Sequence, residues 1–321
     1  MTFDDWRDAD PATVDGLYAA ERERWLDGLQ WETRRSWAIV EAGRQRGHVC
    51  GWILRDGAAR VRGWTYYLLF EGELQIGALC ADRAVDVRAL LDCVMDSPEA
   101  GLASTISCFA YPTTPSFESA LRRRRFAIRR SLYLSRPLTS DDEGAVPAIE
   151  HARVRPYRQT DLLSAVRLMA TAYEGAPGAV CFAPRGRLDE WVRYARQLVE
   201  AEPCGPFLAG ASFAAEEAGT GRLLGLVLTT AVRPDTAHVA QIVVAPQAAR
   251  RGIGRSLLAH AFGASRAAGH RAITLMVDEG NEPARALYAR HRFGETSAFL
   301  SARRPGSTRV MASSYGARRS A

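Results

Sequence analysis

Two hydrophobic periods alternate along the C-terminal half of the chain. Asp161–Tyr173 and Leu188–Val199 space their apolar residues three and four apart, which predicts helices. Leu223–Thr230 and His238–Val244 are short runs rich in leucine and β-branched residues, which predicts strands. A helix is expected from just after Gly254 to about Ala267, then a buried strand over Ala272–Val277. A further helix over Glu282–His291 and a last strand near Ser297–Ser301 complete the series. The order β-α-α-β-β-α-β-α-β predicts an α/β (α+β) sandwich.

The segment Pro137-Leu-Thr-Ser-Asp-Asp-Glu-Gly-Ala-Val-Pro147 is rich in polar and turn residues and reads as a linker. The stretches on either side resemble copies of one plan. Trp6-Arg7-Asp8-Ala9-Asp10 and Tyr157-Arg158-Gln159-Thr160-Asp161 each precede a helical run, with Arg7 and Arg158 151 positions apart. Arg88-Ala89-Leu90-Leu91 matches Arg255-Ser256-Leu257-Leu258, and Arg125-Phe126 matches Arg292-Phe293, both at 167. The change of offset places about 16 extra residues in the second copy, expected over Tyr173–Glu202. The expected organisation is a first domain over 1–138, a linker over 139–150, a second domain over 151–303 and a basic flexible tail over 304–321.

With 321 residues and 47% hydrophobic composition, the chain has material for two packed domains. It has no run long and apolar enough for a membrane helix and no h-region at its start, so a cytoplasmic protein is expected, monomer or homodimer. The net charge is +6, and all 42 basic residues are arginine. Without lysine, Schiff-base chemistry and a Walker-A phosphate loop are excluded. Cys50, Cys80, Cys93, Cys108, Cys181 and Cys204 show no CxxC spacing, and the histidines show no ligand spacing. Reduced thiols and no metal are therefore expected.

The stretch with the most chemical content is Ile242-Val-Val-Ala-Pro-Gln-Ala-Ala-Arg-Arg-Gly-Ile-Gly-Arg-Ser-Leu-Leu258. A strand ends near Pro246, a loop carries Arg250, Arg251 and Gly252-Ile253-Gly254, and a helix follows through Arg255 and Ser256. Glycines allow close approach of a ligand to the backbone. The free N–H groups and dipole of a helix start favour an anion. Leu257 stands where a dinucleotide fingerprint requires its third glycine. Downstream lies Asn281-Glu-Pro-Ala-Arg-Ala-Leu-Tyr-Ala-Arg-His-Arg-Phe293.

Together these stretches resemble the GNAT N-acetyltransferase family. Gly252 and Gly254 match its Gln/Arg-x-x-Gly-x-Gly/Ala signature, with Ala249 in place of the first residue. Asn281, Ala284, Leu287 and Tyr288 match Asn-x-x-Ala-x-x-Leu-Tyr, and Arg292 replaces the glycine before Phe293. The resemblance implies two tandem GNAT-like domains, each a mixed, mostly antiparallel sheet flanked by helices. It implies acetyl-CoA as co-substrate and a primary amine as acceptor. It also implies a pyrophosphate site at Val244, Arg250, Arg251, Gly252, Ile253, Gly254, Arg255 and Ser256, with Asn281 and Ala284 beside it. The backbone N–H of Val244 would polarise the thioester carbonyl, and Tyr288 would protonate the leaving thiolate. For a general base the strand position His238 is the candidate, against a surface histidine at a strand start. Gln241 could order water, Asp278 and Glu279 are further options, and an amine of low pKa needs no protein base.

At the offset of 167, Val85, Val87, Thr114 and Leu121 stand where the second copy has Gly252, Gly254, Asn281 and Tyr288, so the first copy reads as degenerate. Arg122-Arg-Arg-Arg125 with Arg129-Arg130 is the strongest basic patch, read first as a solvated helix end. Two alternatives to an acyl-CoA-dependent enzyme remain open: a non-catalytic acyl-CoA-binding regulatory module, and an RNA- or ribosome-associated protein acetyltransferase.

Overall fold

The computed structural model describes residues 1–306 except 112, 144, 145, 147, 177, 180, 181, 202 and 203. The first copy runs β1 (Thr2–Asp5), α1 (Pro11–Leu29), α2 (Arg34–Gln45), β2 (Cys50–Arg55), β3 (Val61–Phe70), β4 (Glu73–Ala81), α3 (Ala84–Met95), α4 (Pro98–Leu102), β5 (Thr105–Ala110), α5 (Pro115–Arg123) and β6 (Ala127–Pro137). The second runs β7 (Ala152–Pro156), α6 (Leu162–Ala172), α7 (Leu188–Arg196), β8 (Phe213–Glu217), β9 (Leu223–Arg233), β10 (Thr236–Val244), α8 (Ile253–Ala267), β11 (Ala272–Asp278), α9 (Glu282–Arg290) and β12 (Gly294–Pro305).

The chain forms two compact units, and neither is continuous in sequence. One comprises Met1–Gly16, Ala38–Arg129 and Phe299 onward; the other comprises Leu17–Trp37 and Arg130–Ala298. In the first unit the strand order is β1-β2-β3-β4-β5, with the end of β12 antiparallel to β5 from Leu300↔Ala110 to Pro305↔Thr105. Arg304 and Pro305, expected in a flexible tail, therefore lie in a strand. In the second unit the order is β6-β11-β10-β9-β8-β7. There β6 is antiparallel to β11, β10 is parallel to β11, and the remaining pairs are antiparallel. Each unit thus has a mixed, mostly antiparallel sheet, as the resemblance implied.

The second unit contains a strand that periodicity did not reveal. Phe213-Ala-Ala-Glu-Glu217 has two alanines and two acids, a poor β sequence. It pairs with β7 and β9, and Glu216 accepts from Arg153 and Arg155, so tertiary contacts override propensity. The expected linker is also tied down where it is described. Leu138 donates its N–H to the Arg271 carbonyl at 2.8 Å, and Asp142 pairs with Arg136 at 2.7 Å. Arg136 in turn lies over the Phe262 ring.

The core of the second unit follows from helical spacing. α6 buries Ala165, Val166, Leu168 and Met169, and α8 buries Ile253, Ser256, Leu257, Leu258, Ala261, Phe262 and Ser265. β9 is buried on both faces over Leu223–Thr230. α8 lies so close to it that a Cβ on Gly225 would meet Ile253 Cγ2 at 2.9 Å and Leu257 Cδ1 at 3.0 Å. Glycine at this strand position sets how near the helix can come.

Candidate active site

The second unit opens at one place. β10 pairs with β11 only from Thr236↔Ala272 to Val239↔Leu275, although β10 continues to Val244 and β11 to Asp278. The break falls at a β-bulge. Val239 faces Thr229 of β9 and Gln241 faces Leu228, which leaves Ala240 as the extra residue. A bulge strengthens local twist and turns its strand away from a neighbour. The Ala245 N–H donates to the Leu224 carbonyl on β9 at 2.8 Å. Because N–H directions alternate along a strand, the Val244 N–H points to the opposite side, into the gap left by β11.

At the end of β10 the chain reaches the expected cradle. Arg250 and Gly252 both take positive φ, 61° and 80°, and Gly252 is the N-cap of α8, with no side chain capping the helix. The first intrahelical bond runs from Ser256 N–H to the Gly252 carbonyl, so the N–H groups of Ile253, Gly254 and Arg255 precede it. A Cβ on Gly254 would come 3.4 Å from Leu287 Cδ2 and 3.6 Å from Val244 Cγ2. The helix start, β10 and α9 converge on this one glycine. A side chain there would fill the space between them, and the donor set suits a pyrophosphate.

The other residues expected at the cradle divide. Arg250, Arg251 and Arg255 are exposed around it, and Arg251 also donates to the Glu150 carbonyl at 3.3 Å. Ser256 is 1% exposed on the core side of α8, and its N–H is already used, so it is not free to hold a phosphate. Asn281 caps α9: its side chain accepts from the Ala284 N–H at 3.2 Å, which occupies that donor too. The cap starts the helix at the point that sets Leu287 against Gly254 and Tyr288 in the core. Tyr288 is 5% exposed, with its ring edge-on to Phe293. Burial holds its phenol protonated well above the usual range, with Tyr173 adding to the effect.

His238 is buried, unlike the surface histidine of one sequence reading. It is 3% exposed, its Nδ1 is 2.9 Å from Thr274 Oγ1, and the Tyr133 hydroxyl donates to the same oxygen. Its ring contacts those of Trp31 (5.1 Å) and Tyr133 (6.0 Å, stacked), which also contact each other (6.3 Å). Burial pushes its pKa down to about 3, which makes it a weak base within the fold. Trp31 is 207 positions distant in sequence, and spacing around His238 gave no sign of it. The Glu32 N–H anchors that segment to the Val232 carbonyl of β9 at 2.9 Å.

A polar chain that sequence reasoning did not assemble lies on the same sheet face. Gln241 donates to the Tyr173 hydroxyl and accepts from the Tyr194 hydroxyl, both at 2.9 Å. Of these, only Gln241 carried a sequence signal, as a polar residue inside a buried strand. Among the described residues no group of three or more His, Cys, Asp or Glu could hold a metal ion, and no helix is long and apolar enough to cross a membrane. Cys50, Cys80, Cys93, Cys108 and Cys204 are free thiols, whereas Cys181 lies outside the described residues.

Residues 172–294 match the sequence model of the acetyltransferase (GNAT) family. This stretch is similar to GNAT-family domains. It contains the cradle, the divergent strands and Tyr288. No curated protein matches the chain in sequence. A GCN5-related N-acetyltransferase from Sphaerobacter thermophilus superposes with a TM-score of 0.67 at 16% identity, covering 95% of this chain and 98% of that one. A tandem GNAT protein from the clavulanic acid biosynthesis pathway gives 0.59 at 17%, again over 95% and 98%. A glucosamine N-acetyltransferase region of a fungal multi-domain β-N-acetylglucosaminidase gives 0.62 at 14%, over 94% of this chain and 38% of that one. The chain therefore has a tandem GNAT fold.

The first copy keeps the plan without the cradle. β4 and α3 are joined by residues 82–83 alone, where the second copy has 245–252. Asp86, 1% exposed in the first turn of α3, pairs with Arg62 at 3.1 Å and puts the protein's own negative charge at that helix start. Val87 and Leu121 are core residues, and Val85 is exposed.

Proposed function

We propose that the second GNAT copy, residues 151–303 with the Leu17–Trp37 segment, transfers an acetyl group from acetyl-CoA to a primary amine by direct attack in a ternary complex. The observation that carries this reading is the convergence at Gly254. There an uncapped helix start, the diverging end of β10 and the Tyr288 helix meet where any larger residue would fill the space.

Acetyl-CoA brings the activated acyl group as a thioester. The N–H groups of Ile253, Gly254 and Arg255, with the arginines around them, bind its pyrophosphate. The Val244 N–H donates to the thioester oxygen as negative charge develops there. The Tyr288 phenol, kept protonated by burial, gives its proton to the departing sulfur. Gln241 holds Tyr173 and Tyr194 at fixed positions on the face from which the amine approaches.

Calorimetric titration with acetyl-CoA, followed by a thiol-release screen over amines, tests the reading. Saturable binding with release of free thiol in the presence of an amine is expected. Binding without turnover of any amine would favour the regulatory module, and no binding at millimolar acetyl-CoA would refute the proposal.

A further inference from the structure

The acceptor side of this site carries the groups that choose the amine, and the following rests on the acetyl-transfer reading. The bulge at Ala240 reverses the alternation of β10, so His238 and Gln241 fall on one face, opposite the face that packs on α8. Their cross-strand partners on β9 are Thr230 and Leu228. Tyr173 and Tyr194 are fixed on this face by Gln241, and Trp31 covers His238. Tyr173 and Tyr194 join Phe182 and Trp191 in a continuous ring cluster, with centroid distances of 4.8 to 6.1 Å.

The described side chains in contact on this face are aromatic or uncharged. Burial alone depresses His238, with no charged neighbour acting on it, and only Tyr173 acts electrostatically on Tyr288. The groups facing His238 are the Trp31 and Tyr133 rings and the Thr274 hydroxyl. Gln241, at the centre, is an amide and cannot take a proton. Among the described contacts of this face there is no carboxylate to pair with an alkylammonium that loses its hydration here, and no strong base to deprotonate it. A flat ring would gain stacking area against Tyr173 and Tyr194. The Thr230 hydroxyl, fully buried with no partner among the described residues, offers a hydrogen bond to a polar substituent or its water.

We propose that the acceptor is a weakly basic aromatic amine, unprotonated at neutral pH, seated against the face formed by Tyr173, Gln241 and Tyr194. Its neutral nitrogen forms the new C–N bond as the C–S bond breaks. One N–H proton is lost from nitrogen and one proton is gained by sulfur, so the transfer balances without a protein base. An alkylammonium would have to release one further proton to solvent before it could attack. Gln241 is a positioning residue in this scheme, acting through the two tyrosine hydroxyls.

The test compares 4-methoxyaniline with 4-methoxybenzylamine, which share a ring and differ in amine basicity, in parallel with acetyl-CoA calorimetry. At neutral pH the aryl amine is expected to have at least about a tenfold higher kcat/KM. Its rate should stay flat from about pH 6 to about pH 9, while the benzylamine rate climbs about tenfold per pH unit toward its own pKa. Gln241→Glu places a carboxylate among the tyrosines and should raise benzylamine turnover at neutral pH at least about fivefold while lowering that of the aryl amine. Gln241→Leu should raise KM for both amines and leave acetyl-CoA affinity unchanged. A benzylamine preference that levels off near neutral pH, or turnover of neither amine by a protein that binds acetyl-CoA, overturns this inference and leaves the CoA site intact. Absence of acetyl-CoA binding overturns the acetyl-transfer reading itself.

Discussion

The buried His238 makes the second unit acid-sensitive by an amount that follows from its surroundings. In the unfolded chain the imidazole has its ordinary pKa of 6.5, and in the fold burial lowers it to about 3. Above pH 6.5 both states hold it neutral, so it contributes no pH dependence. As pH falls below 6.5 the unfolded state takes up a proton that the folded state refuses, and stability is lost until pH reaches about 3. At pH 5 the loss is about 2 kcal/mol relative to pH 7.5, and it approaches about 5 kcal/mol at the acid end of the window. His238→Phe removes the titrating group and keeps a flat ring against Trp31 and Tyr133. Urea unfolding followed by tryptophan fluorescence at pH 7.5 and pH 5 should show the natural protein losing about 2 kcal/mol more than the variant between the two conditions. His270 and His291 are also depressed by burial, but they are common to both proteins and cancel in the difference. Equal losses would mean that the folded protein protonates His238, and a basic role for this residue would return.

Other substitutions address the cradle and its supports. Tyr288→Phe should lower kcat about a hundredfold with acetyl-CoA affinity unchanged, as measured by thiol release and calorimetry. Gly254→Leu fills the space between Leu287 and Val244 and should weaken acetyl-CoA binding at least about tenfold while the far-ultraviolet spectrum stays native. Gly225→Val drives a branched side chain into Ile253 and Leu257 and should cost about 1–3 kcal/mol in urea unfolding. Trp191→Ala, on α7 and deep in the ring cluster, should cost about 3–5 kcal/mol and raise KM for the amine more than for acetyl-CoA.

The cradle was legible because its requirements are local. A left-handed turn favours glycine at 252, glycine at 254 leaves the space beside Leu287 and Val244 clear, and the cap needs a short polar side chain at 281, all within one stretch of chain. The acceptor side was not legible because it depends on register and on distant segments. The bulge at Ala240 leaves no mark in an apolar run, yet it decides that His238 and Gln241 share a face. Trp31 arrives from the first copy, and Tyr173 and Tyr194 flank a connection whose length the offsets detected but whose path they could not give. The predicted insertion is also divided in the structure. The strands that precede the cradle stand 163 positions apart, Glu73 against Thr236, and the helix caps 167 apart, Thr114 against Asn281.

The degenerate copy separates what the fold needs from what the chemistry needs. β4 pairs with β5 in parallel only from Glu73↔Thr105 to Ile76↔Cys108, and its bulge falls at Gly77, directly after the last pair. β10 behaves identically at Val239 and Ala240. Thr114 caps α5 through the Phe117 N–H as Asn281 caps α9 through Ala284. Divergent strands and a capped helix thus persist in a copy that has lost its cradle, so they belong to the architecture, and Asn281 by itself says little about acyl transfer. What the second copy alone carries is the loop over 245–252 with Gly252, a helix start with Gly254 and no acidic residue in its first turn, and a tyrosine where the first copy has Leu121. A leucine fills that core position equally well. The phenol at 288 is therefore the feature that packing does not require, and it is the side chain on which the catalytic reading most depends.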